Sequence, residues 1–557
     1  MMQKLNNLVT ELLNSENFFS GAEVQFTNPR EGWVFLSGGE RMVLDGVEVP
    51  LAQIGTCPGE AMRYLPAGEH RLRVEGPAER LIVRAIPELI FCKYQYDPHV
   101  RPHGPYDWAF LEKHVLDHVN CIVGNGSEAQ RPMAEAWKRQ GKRWLVECLL
   151  PGIRDEESVT ADEAYDFWTQ QAGLNDPLLD GLIVDEFLGG RRGASPKYYA
   201  WMEAMRRIRA NDQFRGKQFY PYCNALYGAE PSEAFIRATM EAGYRFAWEQ
   251  YLKEPPTEDA AREQLAALTE RTRGWLRAFP GCAAHLVMCF GYMSIPPESL
   301  NADPKVDYKV WMDMQFRHLA TDPAFEGLYG LMEYTCGYAD EETVRWAARL
   351  YRHYGIEGQK ELLSNRLGFS YRLAHLENPD FETGTQGWTV QAAEPGSVGT
   401  GKMEGWSWLE GRYPRTTQGD TFLLMRRCAK GPNAVSQEIR NLRPGQLYSI
   451  KLFTGNHGVL SEGRSEEQRH AVSIQMEGVE RVADKSFQHA MHNCYSHHLG
   501  PFNDQHRAWM NYHFEVFRAK GERARLTISD WADGTSPGGP VGQELMFNFV
   551  EVQPYLE

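Results

Sequence analysis

A chain of 557 residues is too long for one ordinary domain, because single cores stop growing at about 250–300 residues, and two to four domains are expected. The formal net charge of −15 leaves no clustered basic face, which argues against a nucleic-acid partner. With 42 % hydrophobic residues there is ample material for packed cores, yet no run approaches the ~18 apolar residues of a membrane span.

The start, Met1-Met2-Gln3-Lys4-Leu5-Asn6-Asn7, lacks the apolar core of a signal peptide. A soluble protein is expected, either cytoplasmic or secreted with its leader absent. Residues 1–20 place Leu5, Leu8, Leu12 and Leu13 on one side of a predicted short helix. From Ala22 to Ile86 short alternating runs such as Trp33-Val34-Phe35-Leu36 and Leu81-Ile82-Val83 predict a small antiparallel sandwich. Residues 1–88 are therefore read as an N-terminal β-sandwich with a leading helix.

Between 89 and 370 apolar strands alternate with amphipathic helices. The predicted strands are 88–94, 120–124, 143–149, 181–187, 217–223, 244–249, 285–291 and 327–334, each followed by a helical pattern. Eight such units predict a (β/α)₈ TIM barrel. The ten cysteines are scattered without a CxxC, and several sit inside these strands. They read as buried thiols rather than a disulfide framework.

From 377 to 557 the pattern is β again. It opens with Asn378-Pro379-Asp380-Phe381-Glu382-Thr383-Gly384 and Gly387-Trp388, and closes with Phe547-Asn548-Phe549-Val550-Glu551-Val552. These ends resemble the jelly-roll β-sandwich modules appended to carbohydrate-active enzymes. Barrel and flanking β-sandwiches together resemble a glycoside hydrolase with a carbohydrate-binding-module-like domain. The resemblance implies an enzyme that cleaves glycosidic bonds of an oligo- or polysaccharide and needs no cofactor. The C-terminal module is expected to fold apart from catalysis.

The residues themselves support a carboxylate mechanism. Asp180-Gly181-Leu182-Ile183-Val184-Asp185-Glu186-Phe187 runs an apolar strand into two acids before a Gly pair. Charge at the end of a buried strand is costly unless solvated, paired or working, and barrel active sites gather at strand C-termini. Period 2 would put Glu186 on the face of Leu182 and Val184, and Asp185 on that of Ile183. Glu147, Glu249 and Glu333 also come late in their strands. Glycosidic cleavage uses two carboxyl groups, and Glu186 with Glu249 is the expected pair. Asp185 would tune Glu186, and Glu333 is the reserve partner. The commonest glycosidase barrels carry Asn-Glu after strand 4 and a nucleophilic Glu after strand 7. Residue 185 here is Asp, and 286–292 holds no acid.

Sugar rings stack on aromatics and need polar partners for their hydroxyls. Tyr222, Trp248, Tyr251, Tyr292 and Tyr334 are the candidate platforms, and Asn224 a hydroxyl partner. His99 and His103 lie in a long loop after strand 1 that should border the cleft. Their spacing also suits metal, but they are read as substrate-binding and no metal is assigned. Trp406 and Trp408 are a candidate stacking pair, and His489, His492, His497 and His498 form a polar cluster with Cys494. No phosphate loop or GxSxG elbow occurs. The alternatives are a carbohydrate-binding protein without catalysis and a metal-dependent barrel hydrolase or lyase using His99, His103 and the strand-4 acids.

Overall fold

Eight parallel strands close into a barrel in chain order. They are β1 (Glu88–Cys92), β2 (Cys121–Gly124), β3 (Arg143–Cys148), β4 (Gly181–Phe187), β5 (Gln218–Cys223), β6 (Phe246–Gln250), β7 (Leu286–Gly291) and β8 (Gly330–Tyr334). The coordinates are a computed structural model that describes residues 2–18, 21–51, 57, 59–76, 78–154, 156–499, 502 and 507–557. A helix follows every strand, from Trp108–His114 after β1 to Glu341–Leu350 after β8. Strands buried on both faces read as continuous apolar runs, which is why they were visible in the sequence. Ile90, Leu145, Ile183, Ala247, Val287 and Met332 fill the barrel interior, while Leu89, Ile122, Val146, Leu182, Phe246 and Leu331 pack outward under the helices.

The barrel is plugged at its N-terminal end. Glu88 is fully buried and accepts from Arg143 Nη1 at 2.7 Å, Tyr220 OH at 2.7 Å and Trp33 Nε1 at 3.1 Å. Arg143 also donates to Tyr329 OH at 2.6 Å and lies over the Tyr64 ring, 4.0 Å from its centroid. Trp33 and Tyr64 belong to an N-terminal pair of antiparallel sheets. One holds Gly32–Ser37, Glu60–Leu65 and Ala78–Ile86, and the other Glu23–Asn28, Gly68–Glu75 and Arg41–Leu44. Leu36, Leu81 and Val83 of the first meet Phe26, Leu72 and Val74 of the second in one core.

The leading helix is corrected. Thr10–Phe18 is a strand paired antiparallel with Ala78–Ile86; Met1, Phe19 and Ser20 lie outside the described residues. A bulge between Glu11 and Leu13 shifts the register. The extra residue breaks the period-2 signal and leaves leucines at helix-like spacing.

Toward the C-terminus two further antiparallel sheets pack together. The six-stranded sheet includes Leu447–Asn456, Trp509–Ala519 and Glu544–Pro554, and the four-stranded one Ala434–Ile439 and Ala524–Ser529. Ile450, Leu452, Phe517 and Phe547 of the first pack with Val435, Ile439, Leu526 and Ile528 of the second. This pair of sheets is bonded to the barrel. Lys309 Nζ donates to Gln553 Oε1 at 2.9 Å, the Leu556 amide to Glu342 Oε1 at 2.7 Å, and the Tyr413 amide to the Ser299 carbonyl at 2.9 Å. Among the described residues no helix is long and apolar enough to cross a membrane.

Candidate active site

The C-terminal mouth of the barrel gathers carboxylates from four elements. Their placement starts with a bulge in β4. Val184 pairs with Pro221 but Phe187 with Cys223, so β4 carries one extra residue there. Glu186 is that residue, at φ 76°, a left-handed conformation uncommon for a side chain of this size. The Asp185 carboxylate caps the distortion, Oδ1 accepting the Glu186 amide at 2.8 Å. Bulges re-aim side chains next to active sites. Glu186 therefore leaves the strand's alternation and is exposed, while Asp185 follows Ile183 into the barrel. The expected sharing of a face between Glu186, Leu182 and Val184 is thereby corrected. The Gly pair after β4 serves close approach: a Cβ on Gly189 would lie 1.9 Å from the Ala225 carbonyl oxygen.

Glu147 ends β3 and is paired with Lys93, which follows β1. Glu249 lies on β6 beyond the inward Ala247, and is half-buried. Glu298, half-buried in the loop after β7, completes the group and was missed from sequence. The strand itself holds no acid, and the loop's backbone is bonded to the C-terminal sheets immediately beyond it, at Ser299. The Pro296-Pro297 pair marked a turn, but nothing in it signalled direction.

No ion pair among the described residues reaches Asp185, Glu186, Glu249 or Glu298, and their environment acts on protons accordingly. Burial, then the Glu147 and Glu186 charges, pushes Asp185 up to about 8. Burial, then the Glu186 and Glu298 charges, pushes Glu249 up to about 7. Burial and the Glu186 charge push Glu298 up to about 7 as well. Desolvation and like charge both disfavour ionisation, so these carboxyls hold protons near neutrality.

Tyrosines wall the mouth. Tyr251 and Tyr334 stack at 5.7 Å and 19°, and the Tyr222 hydroxyl meets that of Tyr251 and lies 3.3 Å from Cys289 Sγ. Tyr222 itself is only 4 % exposed. The C-terminal sheets add two more. Burial, then the Glu298, Glu249 and Glu186 charges, pushes Tyr413 up, and Tyr495 OH lies 3.0 Å from Tyr338 OH. Arg412, buried beside Tyr413, makes two 2.7 Å contacts with Asp380 and holds that loop. The C-terminal module thus borders the mouth.

Other expected residues lie elsewhere. Glu333 is 2 % exposed and points outward, because Met332 and Tyr334 take the inward positions on β8; burial pushes its carboxyl well above the usual range. Trp248 is fully buried outside β6 against Trp275, with centroids 5.7 Å apart, and offers no ring to a ligand. Tyr292 is 1 % exposed, its hydroxyl spent on the Cys92 carbonyl at 2.7 Å. His103 is buried, its Nε2 3.3 Å from Tyr512 OH and its ring edge-on to Phe487 and Phe514. It anchors the C-terminal sheets rather than a ligand. Asn224 is exposed and caps the Ala225 amide at 2.7 Å. Trp406 is core, and Trp408 is 9 % exposed. His99 is half-buried, its Nε2 3.4 Å from Tyr96 OH. Among the described residues no group of three or more His, Cys, Asp or Glu side chains is arranged to hold a metal ion.

No family model matches the chain, and no curated protein matches it. It is similar to solved structures of carbohydrate-active proteins. A β-glucuronidase 2 from Bacteroides uniformis, a calcium-binding mutant, is 10 % identical over 93 % of this chain and 80 % of that one, with a TM-score of 0.33. An endo-β-N-acetylglucosaminidase from Cordyceps militaris is 10 % identical over 48 % of this chain and 90 % of that one, with a TM-score of 0.34. The module TmCBM61, solved with β-1,4-galactotriose, is 17 % identical over 32 % of this chain and 97 % of its own, with a TM-score of 0.18.

Proposed function

We propose that the protein is a glycoside hydrolase acting on an oligo- or polysaccharide, with Glu249 as proton donor and Glu186 as its carboxylate partner. The observation that carries this reading is the unpaired Glu249, pushed up to about 7 beside the exposed Glu186. A donor is most effective when its pKa lies near the working pH. In cleavage the Glu249 proton passes to the glycosidic oxygen as the bond to the anomeric carbon breaks. The Glu186 carboxylate meets the positive charge developing at that carbon, as nucleophile or as base toward water, and water completes the hemiacetal. Asp185 fixes the Glu186 backbone through its 2.8 Å bond. Tyr251, Tyr334 and Tyr413 offer ring faces to the sugar.

The test is turnover on a glycan panel followed by two isosteric changes. Glu249→Gln and Glu186→Gln should each keep the fold and lose at least ~10²-fold in kcat, about 2.7 kcal/mol of transition-state stabilisation. Full activity in both variants would overturn the assignment. Glycan binding without turnover in the wild type would favour a binding protein.

A further inference from the structure

A second concavity lies away from the acids, between the loop after β1 and the C-terminal sheets. It is a cleft of about 530 Å³, within the ~300–1,000 Å³ usual for ligand sites. The barrel loop supplies Asp97, His99 and Arg101, and the sheets supply Glu467, His492 and Trp509.

The cleft is joined to the mouth by a continuous row of side chains. Lys93, which pairs with Glu147, sits over the Tyr96 ring at 4.6 Å. Tyr96 OH meets His99 Nε2 at 3.4 Å, and the His99 ring stands edge-on to Tyr338 at 5.1 Å. Tyr338 in turn meets Tyr495 of the C-terminal sheets.

Its chemistry is that of a neutral polyol. The side chains of Arg101 and Glu467 are exposed and, among the described residues, have no ion-pair or hydrogen-bond partner. Arg507 donates to His492 Nε2 at 2.8 Å, and Asp97 accepts the Tyr106 amide. The lining thus holds one guanidinium, Arg101, against two carboxylates, Asp97 and Glu467. Burial and neighbouring cations push His99 and His492 down, so both rings stay neutral at pH 7. Trp509 is half-buried, pinned by Ser465 Oγ bonded to both its amide and its carbonyl, at 2.9 and 3.1 Å. A half-buried indole with charged donors and acceptors beside it suits a pyranose: an apolar ring face and hydroxyls in every direction. A phosphate or uronate would need an excess of cations that the cleft lacks.

We propose that this cleft is a distal subsite for an uncharged pyranose unit of a longer glycan, built jointly by the barrel and the C-terminal sheets. The proposal rests on the glycoside-hydrolase reading for the ligand's class. The test uses the full chain with neutral hexasaccharides of glucose, galactose, mannose, xylose and N-acetylglucosamine, the matching aryl monosaccharides, and an oligogalacturonate. Trp509→Ala and Arg101→Ala should each lower the ratio of kcat/KM on the hexasaccharide to that on the aryl glycoside about tenfold. Calorimetry on Glu249→Gln should show the same weakening of hexasaccharide binding without turnover. Arg101 is exposed, so its variant stands if Trp509→Ala unfolds. An unchanged ratio in Arg101→Ala and folded Trp509→Ala, with the wild type active, would overturn the subsite and leave the hydrolase reading in place. Binding that depends on Trp509, without hydrolysis by wild type, would keep the subsite and overturn the hydrolase. Tighter binding of the oligogalacturonate than of every neutral chain would overturn the neutral assignment.

Discussion

The two ends of the barrel hold the same residue type in opposite circumstances. At the floor, Glu88 is fully buried and has a cation, a phenol and an indole for its two oxygens. At the mouth, Asp185, Glu249 and Glu298 are partly buried, and their electrostatic neighbours are other carboxylates. Lys93, at the same rim, is taken by Glu147. The difference teaches that depth and strand position do not separate a carboxylate held by its partners from one left among other acids. The partner inventory does. A fully satisfied acid stabilises the fold, whereas an acid facing its own kind costs stability and gains a proton it can donate.

Breaking the floor gives the largest expected effect. Glu88→Gln removes the only carboxylate paired with Arg143, whose side chain is 11 % exposed. Loss of one partner of a buried pair costs ~3–5 kcal/mol. The barrel's urea midpoint should fall accordingly, while kcat of the folded fraction holds. A midpoint like that of the wild type would show that the floor pair contributes nothing.

The mouth should respond in the other direction. Asp185, pushed up to about 8, binds a proton on folding between its unfolded pKa of ~3.9 and its folded value. Through that window the native state holds more protons, so stability falls as pH rises. Asp185→Asn keeps the acceptor for the Glu186 amide and removes the titration. Its Tm should exceed that of wild type at pH 8 by ~2–4 °C, the scale of ~1 kcal/mol in a large domain, and by less at pH 5. A lower Tm at pH 8 would mean that the charge is compensated.

The smallest effect belongs to Glu333→Gln. Burial pushes this carboxyl well above the usual range and disfavours its charge, and it faces the helices, so exchange for a neutral isostere should leave kcat within about twofold. A dead Glu333→Gln with a normal melting curve would return strand 8 to the catalytic group.

Much of this was legible. Eight strands buried on both faces announce themselves as apolar runs, and the acids late in 143–149, 181–187 and 244–249 do stand at one rim. What failed was parity. Trp248 and Glu333 are one residue from inward positions, and a one-residue change of phase moves a side chain from the lumen to the helix layer. Small Ala247 facing in and large Trp248 facing out could have set the phase on β6, but nothing comparable marked β8. The β4 bulge needed the register with β5, which no single strand contains. Glu298 and Tyr413 reach the mouth through loops joined across domains, at Ser299 and Arg412. That juxtaposition is set by tertiary contacts and leaves no local periodicity.

The central claim is that Glu249 donates the proton. It is tested most directly by the pH profile of kcat/KM for wild type and Glu249→Gln, on the natural glycan and on a 2,4-dinitrophenyl glycoside whose leaving group needs no acid. The wild type should lose activity on the glycan as pH rises through about 7, where Glu249 gives up its proton. In Glu249→Gln that alkaline limb should vanish, with glycan turnover down at least ~10²-fold and dinitrophenyl glycoside turnover largely kept. An alkaline limb that persists in the variant, or an equal loss on both substrates, would contradict the account.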